Sequence, residues 1–177
     1  MSAIRQIMPN YTTEDYERWE GRWEIINGLA VDMSPMPSPR HQNIAGKVFR
    51  ILDEAIEKSG CQHCKVYQPI DYRIDDHTIV NPDISFVCDP INGQYLEFPP
   101  VLVVEIISPS TAFKDRNTKY DLYQKEGIKY YIIIDPIDDT IEVFNLGEDG
   151  LYFKSDSKVF KFGGDCVFEV DLSVSLR

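Results

Sequence analysis

No apolar run in the chain approaches the roughly 20 residues needed to cross a bilayer. Its N-terminus, MSAIRQIMPNYTTED, has no apolar segment of the signal-peptide type. Neither a membrane span nor export is expected, and a cytoplasmic location follows by default. Glycine-rich dinucleotide fingerprints and phosphate loops are missing too, which argues against an organic or nucleotide cofactor. There are no internal repeats, no low-complexity tract and no linker that splits the chain. Basic charge is scarce: 18 Lys and Arg face 29 Asp and Glu, a formal net charge of −11. That balance opposes tight non-specific binding of a polyanion, which needs a basic surface that releases counterions. Cysteine is sparse. Cys61 and Cys64 form a lone CxxC around His63, whereas Cys88 and Cys166 stand apart in strand-like contexts. A zinc site needs a second ligand pair at suitable spacing, so the four read as reduced thiols in and around a core, without disulfides.

What is present describes an ordinary globular chain. With 177 residues, 43% of them apolar, it is long enough for one domain with a real core. The expected extent is 1–177, with an N-terminal helix and hairpin over 1–34 and a β-rich C-terminal extension over 147–177. Residues 12–20 read as a short helix opened by Thr12 or Thr13, with acids in its first turn. WEIINGLAVDMS reads as a hairpin turning at Asn27-Gly28. Pro35, Pro37 and Pro39 make a stiff connector into the clearest helix, Pro39 to about Lys58, with Ser38 as its N-cap. Its stripe is Ile44, Val48, Ile51, Leu52, Ala55 and Ile56, and Gly60 ends it.

Strands are expected at about 65–74, 79–88, 101–107 and 129–135, with shorter ones in IEVFNL, LYFK and CVFEV. A second helix spans about 111–126 and stops at Gly127. A helix joining strand 101–107 to strand 129–135 implies a right-handed crossover within one sheet. The fold class is therefore α/β, with a mixed central sheet flanked by helices.

Glu105 is the anomaly. It lies in VLVVEIIS, where every neighbour from Val101 to Ile107 is apolar, the pattern of a strand buried on both faces. Burying a lone carboxylate costs several kcal/mol at least unless it is neutralised, paired or bound to a cation. One reading is a functional acid; the other is a strand end where Glu105 meets water or an arginine. Asp83 follows Pro82 in VNPDISFV, and Lys119 lies on the following helix. If strands 79–88 and 101–107 are neighbours, both carboxylates approach one point, the usual protein share of a magnesium site. A lysine nearby would orient or deprotonate a water and stabilise developing charge. Each has a plainer role: a turn for Asp83, and a surface ion pair with Asp115 for Lys119.

Four stretches, WEIINGLAVDMSPMPSPRHQNI (23–44), VNPDISFV (80–87), VVEIISPST (103–111) and DRNTKYDLYQKEGIKYYIIIDP (115–136), resemble the Uma-two family of endonucleases. That family lies within the PD-(D/E)XK restriction-endonuclease-like superfamily. The resemblance covers most of the chain and implies a restriction-endonuclease-like fold and hydrolysis of phosphodiester bonds in DNA with Mg2+ or Mn2+. It implies that Asp83 and Glu105 bind the metal. The superfamily's lysine falls two residues after the glutamate, where this chain has Ile107. Lys119 in NTKYDLY is the matching substitute, and Lys114 is the second candidate.

Glu24 in WEII matches a hairpin glutamate of the family, which implies a part in the metal shell or in orienting water; the plainer reading is an exposed hairpin acid. His41, Lys114 and Arg116 are candidate substrate contacts. Cutting both strands of a duplex suits a two-fold homodimer. The alternative, favoured by the acidic charge and the vacant lysine position, is a non-catalytic interaction module that keeps the fold and a metal site.

Overall fold

The computed structural model describes residues 8–61, 63–163 and 166–177. The first seven residues of the expected N-terminal segment lie outside them. The opening helix, α1 (Thr13–Tyr16), is short. Thr12 caps it, and the Thr12 backbone N–H donates in return to the Asp15 carboxylate, which closes the capping box. Strands β1 (Trp23–Ile26) and β2 (Leu29–Asp32) form the expected hairpin. Asn27 and Gly28 both take positive φ, 51° and 78°, as a two-residue turn of the right twist requires. Helix α2 runs Pro39–Ser59, with Ser38 as N-cap and Gly60 left-handed at its end, as its sequence signals dictate.

Two expected strands divide. The segment 65–74 becomes β3 (Lys65–Tyr67) and β4 (Tyr72–Asp75), and 79–88 becomes β5 (Thr78–Val80) and β6 (Ile84–Val87). Pro69 and Pro82 fall in the two interruptions, where the missing N–H breaks a ladder. The halves join different sheets. A six-stranded sheet has the order β10-β9-β8-β7-β6-β3, with β7 (Leu102–Ile106), β8 (Tyr130–Asp135), β9 (Thr140–Leu146) and β10 (Tyr152–Ser155). A four-stranded sheet has the order β2-β1-β5-β4, and β11 (Val159–Phe162) pairs with β12 (Cys166–Glu169). Among the described strands of the central sheet, β7 and β8 alone pair in parallel, through the expected helical crossover, and so the sheet is mixed.

Alternation along β7 separates two cores. Leu102, Val104 and Ile106 face α2 and the β11–β12 hairpin, with Leu52, Phe86 and Phe162. Val103 and Ile107 face the other way, toward Tyr123, Tyr131 and residues of the four-stranded sheet such as Ile26 and Val80. Glu105 shares the parity of the second set, which aims it at the crossover helix. That helix is irregular. A π-helical stretch, Lys114–Lys119, runs directly into α3 (Tyr120–Lys125), and Gly127 ends it with φ 74°.

The expectation of four free thiols is overturned. Cys61 is bonded to Cys166 and Cys64 to Cys88, leaving no free cysteine. The first bond ties the end of α2 to β12, and the second joins the ends of β3 and β6.

Candidate active site

The β6–β7 ladder pairs Ile84 with Val104. Continuing that antiparallel register by one residue sets Asp83 opposite Glu105, so the two carboxylates meet at the ladder's end. Asp83 Oδ2 accepts the Ile106 N–H at 2.8 Å and lies 3.1 Å from Nε2 of His41, in the first turn of α2. Glu105 Oε1 accepts both the Lys119 ammonium and the Tyr123 hydroxyl at 2.8 Å. In each acid a single oxygen carries these bonds. Among the described residues, no protein donor reaches Asp83 Oδ1 or Glu105 Oε2.

Three further charges complete the cluster. Glu24, in β1, is fully buried and takes Lys119 at 2.7 Å on Oε1, Lys114 at 2.5 Å on Oε2, and the Asn81 N–H at 2.9 Å. Asp115 is buried, its Oδ1 is 3.8 Å from the Lys119 nitrogen, and that oxygen has no hydrogen-bond partner among the described residues. The π-helical winding explains why two lysines five residues apart converge. At 100° per residue an α-helix would splay Lys114 and Lys119 by roughly 140°, whereas an i→i+5 repeat brings them nearly onto one face.

Counting donors explains the electrostatics. Burial works against the charge of Glu24, yet Lys119 and Lys114 together hold its carboxyl below the ordinary range. Glu105 shares one ammonium with Glu24, and burial pushes it up to about 8. Burial also raises Asp115. Burial disfavours the Lys119 charge as well, but Glu105, Glu24 and Asp115 outweigh it and hold the ammonium well above its usual value. Lys119 is therefore a fixed cation, 1% exposed.

Asp83, Glu105, Lys119, Glu24, His41 and Lys114 are all gathered here. Arg116 is not. Its guanidinium pairs with Asp135 at 3.5 Å and hydrogen-bonds Glu142, on the β8–β9 side of the helix. Asp115 and Tyr123 join the cluster without having been singled out for it. The (i, i+4) spacing of Asp115 and Lys119 was the only signal for the former, and its burial could not be read from spacing.

The family model described as "Putative restriction endonuclease" (Uma2, or Uma-two) matches residues 13–162. The chain belongs to this family. An uncharacterized protein from Synechocystis sp. is 26% identical over 149 residues, covering 80% of this chain and 77% of that protein. A crystal structure of a putative nuclease belonging to DUF820, from Anabaena variabilis, matches with a TM-score of 0.71. It is 17% identical and covers 94% of this chain and 99% of that one, so the two share a fold. Membership of Uma2 makes this chain a nuclease-fold protein with a nucleic-acid substrate as the family's implied target. Restriction-endonuclease-like families such as Uma2 are generally metal-dependent. The residues present fit a hard divalent cation. Four carboxylates (Glu24, Asp83, Glu105, Asp115) outnumber the two ammoniums (Lys114, Lys119), and the opposed Asp83 and Glu105 each keep an oxygen that no protein donor among the described residues reaches. No helix among the described residues is long and apolar enough to cross a membrane.

Proposed function

We propose that this protein is a Mg2+- or Mn2+-dependent endonuclease that hydrolyses phosphodiester bonds in DNA. The observation that carries the reading is the opposition of Asp83 and Glu105 across the end of the β6–β7 ladder, with Lys119 bonded to Glu105 at 2.8 Å. Asp83 and Glu105 would hold the cation through their unbonded oxygens. When bound, it supplies charge neutralisation at the scissile phosphate and a water of lowered pKa. Glu24 holds Lys119 and Lys114 in place from behind. The Lys119 ammonium fixes the orientation of Glu105 and stabilises negative charge that grows in the transition state. His41 orients Asp83, and its partly exposed ring would contact a substrate phosphate. Lys119 thus takes the part that Ile107 cannot, from a helix instead of the strand. Because a duplex has two scissile strands, a two-fold homodimer is the matching assembly, and the cytoplasm the matching compartment.

A non-catalytic module is the second reading, and the net charge of −11 favours it. Incubation of labelled duplex DNA and RNA with wild type, Glu105→Gln and Lys119→Met, each with Mg2+ or Mn2+, separates the two. The nuclease reading requires metal-dependent DNA cleavage that both substitutions reduce by at least about a hundredfold. Folded wild type that cuts nothing supports the module.

A further inference from the structure

Cys64 and Cys88 each lie one residue beyond the last described pair of the β3–β6 ladder, Lys65 opposite Val87. They are therefore direct cross-strand neighbours, with Cα atoms 3.8 Å apart. His63 precedes Cys64 in the chain. One ring nitrogen of His63 and the two sulfurs all lie within 4.8 Å of one another. Cys64 is buried, Cys88 half-buried and His63 exposed, so two ligands sit at strand ends and the third reaches them from the surface. Two thiolates and an imidazole are the donor set of borderline-soft cations, not of magnesium. Around a tetrahedral zinc the sulfurs stand about 3.8 Å apart and each lies about 3.5 Å from the nitrogen. Both spacings fit inside the observed triangle once the sulfur–sulfur bond is open.

We infer that Cys64, Cys88 and His63 form a second metal site, for Zn2+ or a similar thiophilic cation, which the Cys64–Cys88 disulfide masks. An external dithiol opens it. The Cys64–Cys88 bond breaks, the dithiol becomes its own disulfide, and two thiols result whose protons leave as zinc binds. A reducing compartment keeps such a pair as thiols. Asp83 and Cys88 bracket β6, so the site stands about 17 Å along the strand from the carboxylates. It draws on neither Cys61 nor Cys166.

The test is titration of the full chain with Co2+ as a spectroscopic stand-in for zinc, followed by Zn2+ displacement. It compares protein pre-reduced with a dithiol under anaerobic conditions against protein left oxidised. The reduced wild type is expected to bind one equivalent with a thiolate-to-cobalt charge-transfer band, and the oxidised protein to show none. The band should vanish in Cys64→Ser and Cys88→Ser and persist in Glu105→Gln and Cys166→Ser. His63→Ala, at an exposed position that leaves folding intact, should weaken binding at least about tenfold. The inference is overturned if the reduced protein gives no thiolate band, if the band survives loss of Cys64 or Cys88, or if His63→Ala binds as wild type does. The His63 variant decides the matter even if the cysteine variants fail to fold.

Discussion

Lys119 donates to Glu105 at 2.8 Å from a helix that follows the strand, while the strand position two residues past Glu105 holds Ile107, 4% exposed. The ammonium beside the buried acid is thus supplied by the crossover helix and not by the strand that carries Glu105. Ile107 packs instead into the core beside Tyr123 and Tyr131. Lys119 in turn holds Glu24, so a hairpin, a central strand and the crossover helix are joined through one ammonium.

Removing that ammonium leaves three buried carboxylates short of a partner. Lys119→Met should lower stability by about 3–5 kcal/mol, the usual cost of breaking a buried pair on one side. Urea unfolding measures it. The double variant Lys119→Met/Glu105→Gln should recover part of the loss, because it also removes a stranded charge.

Glu105 makes a pH prediction for the metal-free protein. Its folded value, about 8, lies above the ordinary 4.5. A carboxyl raised in this way gives its full stabilisation below about 4.5 and loses it as pH rises through about 8. Glu105→Gln should therefore gain on wild type across that window by an amount on the order of a few kcal/mol. Unfolding in chelator at several pH values tests this; a difference that is flat with pH would contradict the burial of an uncompensated acid.

Arg116 and Lys114 should separate cleanly. Arg116→Ala breaks a partly exposed pairing on the far side of the helix and should cost less than about 1 kcal/mol while leaving cleavage nearly intact. Lys114→Ala removes a direct partner of Glu24 and should reduce cleavage. Initial rates on one DNA substrate suffice for the comparison.

The first hairpin carries a steric prediction. Gly28 has φ 78°, and a Cβ there would stand 2.3 Å from Asn10 Oδ1. Gly127 has a similar φ of 74° with open space around it. Gly28→Ala should therefore cost more than Gly127→Ala, which should cost about 1 kcal/mol from backbone conformation alone. Thermal melts of the two variants rank them.

What could be read from the sequence was mostly local. Ser38, Pro39 and Gly60 bound α2 because caps act over a few residues, and Asn27-Gly28 turns the first hairpin for the same reason. Glu105 was visible because an acid interrupts an apolar run. The splitting of 65–74 and 79–88 between two sheets was not visible, since alternation along a strand does not say which sheet it joins. The approach of Lys114 to Glu24 depends on π-helical winding, which the residue pattern does not announce. Cysteine pairing across 105 residues is a property of the fold and not of spacing.

The central claim is that Asp83 and Glu105 together make a divalent-cation site. Calorimetric titration of Mn2+ into the chain with its disulfides intact tests it most directly, because the soft Cys64–Cys88 site is then closed. The account predicts one equivalent bound by wild type, and affinity at least about tenfold weaker in both Asp83→Asn and Glu105→Gln. Undiminished binding in either variant, or no binding by folded wild type, would contradict it.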